Sequence, residues 1–167
     1  MIKRILAFTF TLMLCLLCLS GCGGREVSVK SVLLTLTEAE VGLPAGQAYL
    51  ASAQEDEVCY LPPDLTAALY GQGEPPWQLA LVEDYGMWLS SAQHPCEFAV
   101  FRCYARSDTD VVAAMCTSRL DDLRAHYKDS QYASYLQNAQ VVVIGKYVLL
   151  LISADAQHAL NTARRAL

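Results

Sequence analysis

Val141-Val142-Val143-Ile144-Gly145-Lys146-Tyr147-Val148-Leu149-Leu150-Leu151-Ile152-Ser153 is the stretch that decides the fold. Its two strand-forming runs meet at Gly145-Lys146, a two-residue turn with Gly where a positive φ is wanted, so it reads as a β-hairpin. Downstream, Asp155 suits the N-cap of a final helix, and Arg164 and Arg165 favour the negative end of its dipole. Upstream, Ser107-x-x-Asp110 has the form of a helix N-terminus, and Val112, Cys116, Leu120, Leu123 and Tyr127 mark one side of a long helix. Before that helix comes a second strand pair: Met87 to Ser91, a turn at Gln93-His94-Pro95, and Glu97 to Tyr104. Ala99, Phe101 and Cys103 share one face of the latter strand and Phe98 and Val100 the other, so both faces are expected to be covered.

The front of the chain reads as helical. Val29, Val32, Leu33 and Leu36 recur at helical spacing, and Pro62-Pro63-Asp64 starts a short helix over Leu65, Ala68 and Leu69 that stops at Gly71. The Gly-, Ala- and acid-rich segment between them, through Gly42, Pro44, Gly46 and Glu55-Asp56-Glu57, reads as a loop. The expected fold is α+β: a small antiparallel sheet of about four strands in ββαββα order, preceded by one or two N-terminal helices that pack on it.

Residues 1–21 read as a secretory leader. Lys3 and Arg4 precede an apolar stretch from Ile5 to Leu19, and Leu19-Ser20-Gly21-Cys22 has the form that bacterial lipoprotein processing reads before cutting ahead of the cysteine. The apolar stretch is short of the roughly 20 residues a helix needs to span a bilayer, which favours cleavage over a permanent span. Cys22 is then the lipidation site, residues 22–27 a lipidated tether, and 28–167 a single domain. A two-chain lipid anchors stably where one chain is marginal, so the expected partner is a membrane, reached through a diacylglyceryl anchor on its extracytoplasmic face. Loss of Lys3 and Arg4 leaves ten basic residues against seventeen acidic, a formal charge of −7. That balance argues against nucleic acid as a partner and against adhesion to anionic headgroups by a basic patch.

Of seven cysteines, Cys15 and Cys18 leave with the leader and Cys22 takes lipid. Export permits disulfides among Cys59, Cys96, Cys103 and Cys116. Cys96 and Cys103 on one strand would stand about 23 Å apart, far beyond disulfide reach. Cys59 with Cys96 is the first pairing to test. Cys103 and Cys116 read as small buried hydrophobes.

The stretches Leu65-x-x-x-Leu69-Tyr70-Gly71, Glu97-Phe98-Ala99-Val100-Phe101 and Gly145 to Ser153 together resemble the bacterial lipoproteins of domain of unknown function family 4358, common in anaerobic Gram-positive bacteria. The resemblance runs from the first helix to the C-terminus. It implies the fold and an extracytoplasmic membrane location, on a Gram-positive surface or a periplasmic leaflet, and it assigns no activity.

No catalytic constellation and no cofactor signature emerges. His94-Pro95-Cys96, with Cys59 as a third ligand, falls short of a zinc site because no closely spaced ligand pair completes it. Asp108 and Asp110 fit helix capping better than calcium binding, and Asp121-Asp122 a solvated face. Glu97 reads either as a polar anchor for a ligand or partner or, more strongly, as an edge-strand charge that discourages unwanted pairing. Trp77, Tyr85, Trp88, Tyr132, Tyr135 and Tyr147 offer aromatic surface, though such residues are more often core. Glu97, Trp88, Tyr135 and Tyr147 are the candidate contacts. The expected function is non-catalytic binding of an envelope protein or small ligand. The alternative is a thiol-redox or hydrolytic enzyme that uses Cys59 or Cys96 with His94 and needs an acid-shifted thiol.

Overall fold

The computed structural model describes residues 26–91 and 94–167. The leader, Cys22, the start of the tether and Gln93 lie outside the described residues. The described fold is α+β, with five α-helices and five strands in the order α1 (Val29–Ala39), β1 (Gly46–Leu50), α2 (Pro63–Tyr70), β2 (Val82–Ser90), β3 (Glu97–Cys103), α3 (Thr109–Tyr127), α4 (Ala133–Asn138), β4 (Gln140–Ile144), β5 (Tyr147–Ile152) and α5 (Ala156–Ala166). The sheet runs β1-β2-β3-β5-β4, and every neighbouring pair is antiparallel.

The hairpin forms as its sequence requires. Gly145 has φ +61°, and Ile144 stands opposite Tyr147. Ser28 caps α1 by accepting the Ser31 N–H at 3.2 Å, and Val29, Val32, Leu33 and Leu36 are its buried stripe. Asp155 caps α5 by accepting the His158 N–H at 2.9 Å.

Both faces of the sheet are covered. Phe98, Val100, Leu149 and Leu151 pack with α1 and with Ala159, Leu160 and Ala163 of α5. Ala99, Phe101, Cys103, Val148 and Leu150 pack with Val112, Met115, Cys116 and Leu120 of α3 and with Leu136 of α4. Thus β3 and β5 are apolar at successive positions because helices lie on either side of them.

Four expectations change. The sheet has five strands, because Gly46-Gln47-Ala48-Tyr49-Leu50, read as loop, pairs along β2 from Gly46 opposite Ser90 to Leu50 opposite Gly86. Gly46 makes this approach possible: a Cβ there would collide with the Trp88 ring and the Leu89 carbonyl. A short helix, α4, follows α3, so the back of the chain departs from simple ββαββα order. Ser107 does not cap α3; a single 3-10 turn over Arg106–Asp108 intervenes, and Asp108 Oδ2 reaches back to the Ala105 N–H at 3.2 Å. Finally, Glu97 is no edge charge. It opens the middle strand, paired with Leu89 of β2 on one side and Ile152 of β5 on the other, and is 2% exposed.

The domain has two poles. At one, the start of the described chain meets the hairpin turn: Lys146 lies 3.5 Å from Glu26, and the Tyr147 hydroxyl donates to the Val27 carbonyl at 2.6 Å. From there α1 and β5 run in the same direction to the opposite pole, about 16 Å along the helix and about 20 Å along the strand.

Candidate functional site

At the far pole three segments distant in sequence converge. Helix α1 ends at Glu40, which turns into extended backbone and leads through Gly42, at φ +81°, to Leu43 and Pro44. Strand β5 ends into Ser153-Ala154-Asp155, which starts α5. Cys96, just ahead of β3, and Tyr135 of α4 close the side. Together they line a cleft of about 300 Å³, at the small end of the range for ligand pockets.

The cleft's polar groups are under-used. Ser153 is 1% exposed, yet its Oγ has no hydrogen-bond partner, and Glu40 Oε1 is likewise buried and unpaired. An unsatisfied buried hydroxyl costs about 1–3 kcal/mol and a charged group more, and Glu40 and Ser153 are both among the residues around the cleft. Asp155 adds a second carboxylate, partly committed to its cap, and His158 Nε2 sits 3.3 Å from the Ala39 carbonyl, tying α5 to the end of α1. Neither Lys nor Arg lines the cleft.

Cys96 separates this cleft from a smaller one of about 150 Å³, lined by Leu69, Ser90, His94, Glu97, Arg119 and Tyr127 among others. Glu97 is the buried centre of a network there. Its Oε1 accepts the Tyr70 hydroxyl at 2.6 Å, and its Oε2 accepts Arg119 Nη2 at 3.0 Å and Nε at 3.3 Å. These bonds join α2, β3 and α3. Burial, reinforced by the charge of Glu97, raises the Tyr70 phenol well above its ordinary value and keeps it a donor. For Arg119 burial works downward, but Glu97 and Tyr70 outweigh it and hold the guanidinium charged.

His94 and Cys96 are neighbours without forming a nucleophile pair. His94 Nδ1 accepts the Cys96 backbone N–H at 3.2 Å, so that nitrogen is unprotonated, and burial lowers the pKa of the ring. Burial, with Glu40 and Glu97 adding to it, pushes the Cys96 thiol up to about 12. That is the reverse of the acid shift a reactive cysteine needs. Tyr132 and Tyr135 pack against His94 with ring centres at 4.4 and 4.9 Å.

The candidate Cys59–Cys96 disulfide is not formed in this structure; Cys59, Cys96, Cys103 and Cys116 are all free thiols. The sheet explains why. The Cys59 carbonyl accepts from Leu50, opposite Gly86, whereas the Cys96 carbonyl accepts from Ser90. Four residues of β2 hold them about 13 Å apart along the strand, beyond the ~7 Å limit for bridged Cα atoms. Cys103 and Cys116 are fully buried in one apolar cluster, as small hydrophobes would be.

Of the four candidate contacts, the structure brings Tyr135 to the large cleft and Glu97 to the small one. Trp88 is only 7% exposed and packs on Phe98, and the Tyr147 hydroxyl is committed to Val27. Sequence reasoning missed Tyr70, Arg119, Glu40 and Ser153. Arg119 carried a signal: it stands three residues after Cys116 and four before Leu123, on the border of an apolar stripe, where a cation needs a partner. Compared with protein-family models, with curated proteins and with solved structures, the chain matches none.

Proposed function

We propose that this chain is a lipid-anchored, extracytoplasmic binding module, without catalytic activity, whose ligand occupies the cleft between the end of α1 and the start of α5. The observation that carries the reading is the cleft of about 300 Å³ where the end of α1, the start of α5 and α4 converge, lined by Glu40, Tyr135, Asp155 and His158 among others. The Leu19-Ser20-Gly21-Cys22 sequence supports the anchor, and the resemblance of its motifs to those of domain of unknown function family 4358 is in keeping with a surface lipoprotein. The acidic balance weighs against nucleic acid. The alternative of a thiol enzyme draws on the adjacency of His94 and Cys96, but a thiol at about 12 stays protonated at neutral pH.

Two measurements test the reading. Intact mass of the protein from its native membrane should show a diacylglyceryl adduct on a chain beginning at Cys22; an unlipidated chain overturns the address. Ligand-observed NMR on the full chain in detergent, with a panel of small amines, amino sugars, amino acids and carboxylates, should find saturable binding that Ser153→Leu abolishes. A panel that yields no binder overturns the cleft as a ligand site.

A further inference from the structure

We infer that the outer edge of β4 is a docking surface, separate from the cleft, that takes an extended, uncharged segment of another protein as a further strand of the sheet. The sheet runs β1-β2-β3-β5-β4, so β4 has a strand neighbour on one side alone. The two-residue turn pairs Ile144 with Tyr147, and the Cys103 N–H bonds to the Lys146 carbonyl on the β3 side. Backbone groups therefore alternate along the hairpin: Gln140, Val142 and Ile144 face β5, while Val141 and Val143 point their N–H and C=O outward. Those outward groups have no hydrogen-bond partner among the described residues. The opposite edge of the sheet is closed. There the segment after β1 folds back, the Leu50 N–H donating to the Cys59 carbonyl at 2.7 Å and Gln47 Nε2 to the Val58 carbonyl at 2.6 Å. Open edges are usually blunted by a charge, a proline or a bulge. Gln140-Val141-Val142-Val143-Ile144 has no charge and no proline, pairs with β5 in unbroken register, and leaves Val143 40% exposed.

The edge also specifies its occupant. Unpaired N–H and C=O groups recurring about every 6.8 Å are matched by another extended backbone, and side chains then choose the sequence. Val141 packs on the α3 face and Val143 follows it there, which favours β-branched residues at alternate positions of the partner. The other face offers neutral amides, with Gln140 Nε2 donating to Gln157 Oε1 at 3.4 Å. Lys146, the charge in the adjoining turn, is held 3.5 Å from Glu26. Because the chain is acidic overall and β4 carries no carboxylate, an acidic partner is repelled and a basic one finds no counterion on the strand. Two copies of this chain, paired antiparallel about Val142, would make the same backbone bonds. Their tethers would then leave from opposite ends of the pair, whereas the anchored reading gives both tethers one membrane, so a foreign segment is the occupant.

The test is hydrogen exchange of single backbone amides in the full chain in detergent, with and without a synthetic peptide of about seven residues, alternately valine and threonine and blocked at both ends. Without peptide, the Val141 and Val143 amides should exchange about tenfold or more faster than those of Val142 and Ile144. Added peptide should slow Val141 and Val143 saturably, by about tenfold, and leave Leu50 on the closed edge unchanged. Val143→Pro removes an outward donor and spares the bonds to β5, so it should abolish this protection with little change in thermal midpoint. Val143→Lys keeps the backbone donor and adds the charge that edges normally carry, and it should weaken the peptide several-fold even if the proline variant fails to fold. Slow exchange at Val141 and Val143 without peptide overturns the inference, and a dependence on protein concentration would then assign the edge to a second copy. Exchange that the peptide leaves unmoved, or slows equally in Val143→Lys, overturns it as well. None of these outcomes bears on the cleft, which the ligand panel decides separately.

Discussion

Glu97 shows what one buried carboxylate demands. Its partners lie on two helices, so its removal strands Arg119 in an apolar wall. Glu97→Ala is expected to cost about 3–5 kcal/mol in urea denaturation, and Tyr70→Phe about 1.5–3 kcal/mol. Replacing Glu97 and Arg119 together by Leu and Met should cost less than Glu97→Ala alone, because no unpaired charge remains; a double variant as unstable as the sum of the singles would contradict the pairing. The thiols behave differently. In the processed protein lipidated on Cys22, as proposed, half-buried Cys59 should label quickly with a maleimide under native conditions, and four equivalents should label after unfolding in denaturant without reductant. The buried thiols also set an alkaline limit. Cys96 is raised to about 12 and Cys103 to about 11, while an unfolded thiol ionises near ~8.5. The folded state therefore holds protons the unfolded chain has lost, so their contribution is full below pH ~8.5 and declines as pH rises toward the folded values. Thermal midpoints measured from pH 7 to 11 should fall on the alkaline side, and Cys96→Ala with Cys103→Ala should flatten that fall.

Among the elements, legibility followed how locally each is determined. The β4–β5 hairpin, α1 and α5 carry their own instructions, in Gly145, in the Val29-Val32-Leu33-Leu36 stripe and in the Asp155 cap, and each stands where the sequence puts it. Strand β1 carries none. Its five residues have little strand preference and are extended because β2 offers an edge and Gly46, having no side chain, leaves room for the Trp88 ring. Gly46→Val should accordingly lower stability by about 1–3 kcal/mol through overpacking, and hydrogen exchange should localise the loosening to β1. An unchanged exchange pattern would show that the ring moves aside without cost. The start of α3 departs from the Ser107 reading because a 3-10 turn precedes it, in which Asp108 accepts the Ala105 N–H and makes no cap bond to α3. The candidate site was largely illegible for a related reason. Glu40, Cys96 and Ser153 are separated by more than fifty residues each, and only the strand order that places β3 beside β5, with α1 across them, brings them together.

On the scale of the molecule, the described residues begin at the hairpin pole and the cleft opens at the other. With acyl chains on Cys22, as proposed, the sheet stands upright between bilayer and cleft as a spacer of about 20 Å. On that proposal the mouth of the cleft lies on the side of the domain away from its anchored end. Its occupancy would then report what diffuses in from outside, with the membrane as the mooring and not as the source of the ligand.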